Sequence, residues 1–211
     1  MYFIRKANHN DIPFLVDCVL AAESFAGKST YEIIFDLNKT EMVKILTQIF
    51  EEDIENQEIS VKSFAVIEFN QKLVAGCAAW IEGLEGIGSG TLKATAFSYF
   101  VADKLVNNPK IEALANVNVP RSFGAIQLES FYTIPEFRGK KLSHLLIEFH
   151  LGNLKNSDTH KAEIIAVTEN TSAIRAYQNA GFKIIENSIS NDPLVFEILG
   201  GKGKSLLTKK I

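Results

Sequence analysis

Between residues 125 and 185 the chain alternates between strand-like and helix-like segments, and this order restricts the fold to a mixed αβ class. The strand-like segments are short apolar runs bounded by turn residues, whereas the helix-like segments carry apolar residues at helical spacing. The second helical segment ends at a Gly-Phe pair, a usual helix stop. We therefore predict, in order, strand, helix, strand, helix and strand over 125–133, 141–151, 162–167, 171–180 and 182–185.

The first half of the chain predicts a strand, two helices and a hairpin. The first helix is capped by Asn10 or Asp11 and has Pro13 in its first turn. Only three residues separate the two strands of the hairpin, which is short enough for a tight turn. A glycine-rich segment then leads into two further helices, and a last strand precedes a basic, glycine-rich tail. The predicted strands are 2–4, 63–69, 73–81 and 194–199. The first predicted helix starts near residue 10, the second spans 40–51, and the insert covers 82–122.

Composition excludes several classes of function. The 211 residues carry a formal net charge of −3 and a sequence pI near 5.9, which argues against a dedicated nucleic-acid-binding protein. No apolar run approaches the roughly 20 residues of a membrane helix, and residues 1–11 lack the apolar middle of a secretion signal. Cys18 and Cys77 lie in apolar runs and read as reduced core residues, and no metal-binding motif is present. A cytoplasmic location follows by elimination.

The junction before the helix at 141–151 carries unusual positive charge. The segment PEFRGKKLSHLL places Arg138, Gly139, Lys140 and Lys141 at the start of a helix. A helix N-terminus presents unpaired N–H groups and partial positive charge, which favour a phosphate. Glycine would let the backbone approach that phosphate. The segment alone is equally consistent with a solvated basic turn.

A second segment, TENTSAIRAYQNAGF at 168–182, opens a helix at Asn170 or Thr171 and ends it at Gly181 and Phe182. Tyr177 lies two helical turns after Asn170. Taken alone, the segment reads as a capped amphipathic helix with a core tyrosine.

Together these two segments resemble the GNAT superfamily of acyl-CoA-dependent N-acetyltransferases. The second segment meets the family signature Asn-x-x-Ala-x-x-x-Tyr-x-x-x-Gly-Phe in full. The first signature, a proline followed by Arg/Gln-x-x-Gly-x-Gly/Ala, is degenerate. Pro135 and Arg138 match it, but Lys141 stands where the first glycine is expected and Ser143 where the final small residue is expected. The resemblance covers residues 2–81 and 123–200, and the insert at 82–122 has no counterpart in it.

The resemblance implies one α+β domain over 1–211, with a mixed, mostly antiparallel sheet that splays between its fourth and fifth strands. Acetyl-CoA would lie in the splay, without a metal. Backbone groups of the fourth strand would bind the pantetheine arm, a loop would hold the pyrophosphate, and a strand end would add a contact. The residues implied are Phe131, Tyr132 and Thr133 for the strand, Arg138, Gly139, Lys140, Lys141, Leu142 and Ser143 for the loop, and Asn170 for the strand end.

Acetyl transfer to an amine needs a base for the attacking amine and an acid for the departing thiolate. Strand alternation puts Glu129 on the same face as Phe131 and Thr133. We expect Glu129 to be the base. The alternative is that its carboxylate has a purely structural role. Tyr177 is the expected acid. The expected partners are acetyl-CoA and a primary amine of a small molecule or peptide, and a homodimer is one expected assembly. A non-catalytic module that binds acyl-CoA is the alternative function, because Lys141 and Ser143 depart from the signature.

Overall fold

A computed structural model describes residues 1–22 and 24–211, and its centre is a seven-stranded sheet. In chain order the strands are β1 (Phe3–Lys6), β2 (Ser24–Phe25), β3 (Lys28–Ser29), β4 (Phe64–Phe69), β5 (Lys72–Ile81), β6 (Ile126–Thr133), β7 (Lys161–Val167), β8 (Lys183–Ile189) and β9 (Gly203–Lys210). The sheet order is β1-β4-β5-β6-β7-β9-β8, and β2 pairs only with β3. All neighbours in the large sheet are antiparallel except β6 and β7.

Eight α-helices accompany the sheet in the described part of the chain. They are α1 (Ile12–Ala22), α2 (Thr30–Phe35), α3 (Lys39–Glu52), α4 (Ser89–Leu105), α5 (Pro109–Ala115), α6 (Leu142–Leu154), α7 (Thr171–Asn179) and α8 (Pro193–Leu199). The predicted helices at 40–51, 141–151 and 171–180, and the two in the insert, are all present. Helix α2 was not predicted, because its six residues are too few for a periodic pattern.

The alternation of side chains along β5 separates two apolar cores, one on each side of the sheet. Ala78 and Trp80 join the core that contains α1, α2 and α3. Cys77 and Ala79 join the opposite core, which contains α6 and α7. Both cysteines are free and buried, as expected. The predicted hairpin is β4 and β5, whose turn residues Asn70 and Gln71 both have the positive φ that such a tight turn requires.

The prediction for the C-terminal segment was wrong. The run at 194–199, predicted as a strand, is helix α8, which Asp192 caps and Pro193 begins. Its buried residues Val195, Ile198 and Leu199 follow helical spacing, but a run this short is ambiguous by pattern. The basic, glycine-rich tail, for which no element was predicted, forms β9 between β7 and β8.

The sheet opens between β6 and β7, its fourth and fifth strands in chain order. These strands pair only at Ile126 with Ala162 and Gln127 with Glu163, and then diverge. The buried Glu163 carboxylate ties the closed end, because it accepts hydrogen bonds from the Gln127 amide (2.8 Å) and the Ser122 backbone N–H (3.0 Å). The outer half of β6 therefore turns unpaired backbone toward the gap.

Among the described residues, no helix is both long and apolar enough to cross a membrane. The same residues contain no group of three His, Cys, Asp or Glu side chains arranged to hold a metal ion.

Candidate active site

A bulge in β6 sets the direction of the side chains at the gap. Ser130 has a φ of 55°, and the pairing with β5 shifts between Gly76 and Ala78. Such a bulge inserts one residue into the strand and interrupts the alternation of its faces. Phe131 consequently packs into the core that contains Leu128. The expectation that Glu129 and Phe131 share one face was therefore wrong, because it assumed a regular strand.

A cleft of about 670 Å³ lies beside the outer half of β6, between the start of α6 and helix α7. Seven of the residues predicted for cofactor binding and one predicted for catalysis line it: Phe131, Thr133, Arg138, Gly139, Lys141, Leu142, Ser143 and Tyr177. Segments 131–143 and 172–180, which are separate in sequence, thus form the two walls of one cleft.

The basic loop turns sharply into α6 through two residues in the left-handed region. Gly139 has a φ of 76°, and Lys141, the residue immediately before α6, has φ 59° and ψ 26°. A residue other than glycine costs roughly 1–2 kcal/mol in this conformation. The positive φ at position 141 therefore explains why the family signature has a glycine there. Lys141 keeps the backbone path that glycine would favour.

The side chains of this loop contribute unequally. Arg138 Nε donates to the Thr133 carbonyl (3.2 Å), which ties the loop back to the end of β6. Lys140 places its ammonium 4.4 Å from the centre of the Phe137 ring. Leu142 and Ser143, which line the cleft, are the first two residues of α6, and the first N–H groups of a helix have no preceding helical carbonyl to bond. This end of the cleft suits an anion.

Replacing Lys141 by glycine is expected to raise the melting temperature. The change removes the left-handed cost of about 1–2 kcal/mol, and the greater chain entropy of glycine in the unfolded state offsets part of that gain. A net gain near 0.5–1 kcal/mol corresponds to about 1–4 °C in a chain of this size. Lys140→Gly is the matched control, since Lys140 lacks a positive φ and loses its contact with Phe137. Equal decreases in both variants, measured by calorimetry, would contradict the proposed strain at Lys141.

Tyr177 lies where the large cleft meets a smaller cavity between β6 and β7. Its side chain is buried, and its ring centre is 5.1 Å from that of Phe131. Burial raises the pKa of the Tyr177 phenol above its ordinary value, so the hydroxyl keeps its proton at neutral pH. Within residues 1–22 and 24–211, no hydrogen bond holds this hydroxyl. The phenol is therefore a neutral donor at the boundary of two cavities.

The smaller cavity, of about 110 Å³, brings Glu129 and Tyr177 together. It occupies the gap between the diverging strands, and segments 128–131 and 164–167 form its walls. Asn170 also lines it, although its side-chain oxygen accepts from Ala173 N (3.2 Å) and so caps α7. Tyr132, in contrast, packs against Phe14 with ring centres 6.0 Å apart. Tyr132 and Lys140 are the predicted site residues that line neither cavity.

Glu129 belongs to a buried cluster of charged groups that sequence reasoning missed. Arg121 forms an ion pair with the Glu129 carboxylate and lies 5.8 Å from the centre of the Trp80 ring. Burial raises the pKa of Glu129 to about 7 against the opposing charge of Arg121, and the Glu58 carboxylate contributes to the rise. Lys93 forms an ion pair with Glu58 at 2.7 Å. The insert at 82–122 thus supplies both cations of the cluster, which gives the insert a role at the site.

Glu82, in the insert, has a structural role. Its buried carboxylate accepts from the indole N–H of Trp80 (2.9 Å) and from the backbone N–H of Ser89 (2.9 Å). It therefore holds the start of α4 against β5.

The comparisons with known proteins agree with this geometry. A family model described as an acetyltransferase (GNAT) domain matches residues 111–196. The chain carries a GNAT acetyltransferase domain. This match contains the basic loop, β6, β7 and α7, which supply most of the residues that line the two cavities. The predictions of GNAT membership and of an acyltransferase are confirmed, and the non-catalytic alternative is not favoured.

Solved structures share the fold of this GNAT acetyltransferase at low sequence identity. An N-acetyltransferase from Staphylococcus aureus Mu50 is 14% identical, with a TM-score of 0.67 over 98% of this chain and 100% of the other. The ribosomal-protein-S18-alanine N-acetyltransferase from Escherichia coli is 12% identical, with a TM-score of 0.54 over 100% of this chain and 94% of the other. A Mycobacterium tuberculosis protein in complex with CoA is 14% identical, with a TM-score of 0.50 over 99% of each chain. A comparison with curated protein sequences found no match.

Proposed function

We propose that this GNAT acetyltransferase moves the acetyl group of acetyl-CoA to a primary amine of a small molecule or peptide by direct attack. One observation carries the proposal. Glu129 and Tyr177 line the same small cavity, and Tyr177 also lines the large cleft, whose far end is basic. A thioester at that junction would have a carboxylate on one side and a phenol on the other.

The cofactor would enter along the large cleft. The backbone of Phe131 and Thr133 would pair with the pantetheine arm as an added strand would, because β7 leaves this edge of β6 unpaired. The Arg138 to Ser143 loop would hold the pyrophosphate with backbone N–H groups and charge. Asn170 would contact the arm from the opposite wall. The Mycobacterium tuberculosis structure in complex with CoA supports a CoA-sized ligand for this fold.

The reaction would then proceed in one addition and one elimination. The amine nitrogen attacks the thioester carbonyl carbon, and its surplus proton passes to the Glu129 carboxylate. The carbon–sulfur bond breaks, and the Tyr177 phenol donates its proton to the departing thiolate. The products are the N-acetylated amine and CoA. Proton transfers of this kind contribute about 10²–10⁴-fold each to the rate.

Binding of CoA through the basic loop is expected to be saturable in isothermal titration and weaker for Arg138→Ala. The loss should be greater at low salt, because salt screens the attraction between the guanidinium and the phosphates. The same titration with dephospho-CoA, which lacks the 3′-phosphate, would show how much of the affinity comes from contacts with the pyrophosphate. Arg175, an exposed arginine outside both cavity linings, provides the control variant Arg175→Ala. The absence of saturable heat with either ligand would contradict the cofactor proposal.

The acceptor is best sought with a panel of amines. Polyamines, aminoglycosides, amino acids and peptides with a free N-terminus should each be incubated with acetyl-CoA while CoA release is followed. Peptide N-termini belong in the panel because one structural neighbour is named an alanine N-acetyltransferase. Release of CoA that depends on the added amine is the expected result. Release that no amine accelerates would contradict transfer to an amine.

A further inference from the structure

A lysine lines the small cavity between β6 and β7 together with Glu129 and Tyr177. This residue, Lys204, is the second residue of β9, and it is partly buried. Apart from the Tyr177 phenol, Glu129 and Lys204 are the ionisable residues among those that line this cavity in the described part of the chain. The proposed reaction uses Glu129 and Tyr177 but leaves Lys204 without a role.

The register of the sheet shows which side of the gap Lys204 faces. Lys204 lies directly opposite Val167 of the antiparallel strand β7, and side chains directly opposite each other share a face. Val167 packs against the core that contains α1, α2 and α3. Glu129 faces the same side, because its partner Arg121 lies against Trp80 of that core. An amine held at Glu129 is therefore on the same side of the sheet as the Lys204 ammonium.

The charges around the cavity do not balance. Glu129 is already paired with Arg121, and Glu58, the other carboxylate of the buried cluster, is paired with Lys93 at 2.7 Å. Within residues 1–22 and 24–211, in contrast, no carboxylate forms an ion pair with Lys204. One uncompensated positive charge thus remains at the cavity. It repels an acceptor that carries a second cation and attracts one that carries an anion.

We propose that Lys204 selects the acceptor by binding an anionic group on it, so the substrate is a primary amine that also carries a carboxylate. The proposal rests on the proposed function and names the acceptor class of the same site. A carboxylate beside Lys204 gains a charge-assisted hydrogen bond, which is stronger than a neutral one. Because Glu129 and Lys204 line one cavity of about 110 Å³, only a few bonds separate the amine from the carboxylate. A free amino acid and a peptide with an acidic first residue both have this chemistry.

The test measures kcat and KM for pairs of acceptors that differ in charge. Alanine and alaninamide form the pair for free amino acids, and peptides that begin with glutamate or glutamine form the pair for peptides. Lys204→Met keeps the length of the side chain and removes its charge. It should lower kcat/KM for the anionic member of one pair by about tenfold or more, mainly through KM, and leave the neutral member little changed. The pair that responds identifies the source of the carboxylate.

Two further variants separate a charge effect from a structural one. Lys204→Arg keeps the charge and should retain the preference for the anionic acceptor. Lys202→Met removes an exposed lysine two residues earlier that lines neither cavity, and it should change neither acceptor. Comparing each acceptor between wild-type and variant enzymes cancels the difference in amine pKa within a pair. An equal decrease for both members of each pair in Lys204→Met, or no decrease for either, would overturn the proposal.

Isothermal titration of the CoA-saturated protein with the same pairs tests the contact without turnover. Tighter binding of the anionic member, lost in Lys204→Met and kept in Lys204→Arg, supports the proposal. Equal or absent binding of both members of each pair overturns it. If no amine accelerates CoA release, the proposed function fails and this titration still decides the role of Lys204. If amines are accepted without any preference for a carboxylate, the role of Lys204 fails and acetyl transfer stands.

Discussion

Glu129→Gln is expected to lower kcat by about 10²–10⁴-fold at neutral pH while the affinity for CoA changes little. The amide keeps the shape of the carboxylate and can still accept a hydrogen bond from Arg121, but it cannot take a proton from the amine. Glu129 lines the small cavity and not the large cleft, so the cofactor contacts should survive. Steady-state kinetics together with isothermal titration of CoA would measure both quantities.

The substitution also removes the partner of a buried cation, which makes a stability control necessary. Breaking a buried ion pair commonly costs about 3–5 kcal/mol, so the melting temperature of Glu129→Gln should fall. The double variant Glu129→Gln with Arg121→Met removes the whole pair and should recover part of that stability without recovering activity. Recovery of kcat together with stability would show that Glu129 supports the fold and does not act as the base.

The parts of the site that sequence predicted are those specified by local patterns. Asn170 caps α7 through its side chain, and Gly181 has the positive φ of 92° that terminates a helix. The basic loop likewise combines a glycine at positive φ with a helix start only a few residues away. Such features depend on neighbouring residues, so short stretches of sequence predict them. The resemblance to the GNAT superfamily then predicted that these two distant segments lie together.

The parts that sequence missed depend on contacts between distant residues. Glu58 lies in an irregular loop before β4, where nothing distinguishes it from a solvated glutamate. It is the partner of Lys93 because α4, which carries Lys93 35 residues later in the chain, brings that ammonium against it. The bulge at Ser130 was equally hidden, because serine has no strong preference for positive φ and the surrounding residues alternate like an ordinary strand.

Tyr177→Phe is expected to lower kcat by at least about tenfold, with little change in CoA affinity or melting temperature. The substitution keeps the ring that packs at 5.1 Å from Phe131 and removes only a hydroxyl that no described residue hydrogen-bonds. Its loss should therefore cost little stability, whereas the departing thiolate would lose its proton donor. The raised pKa of the phenol makes the donor protonated across the neutral range, so the defect should persist at every pH from 6 to about 9.

The leaving group offers a sharper test of the same residue than the rate alone. An acyl donor whose thiol has a lower pKa needs less help from an acid, so the difference between wild-type and Tyr177→Phe enzymes should shrink with such a donor. Tyr2→Phe, which removes a hydroxyl from an aromatic residue packed against Phe69 outside both cavities, controls for nonspecific effects. A defect of equal size with both donors would mean that Tyr177 positions the thioester through its hydroxyl and does not protonate sulfur. An unchanged kcat would show that Tyr177 does not protonate the thiolate and that water or another group does.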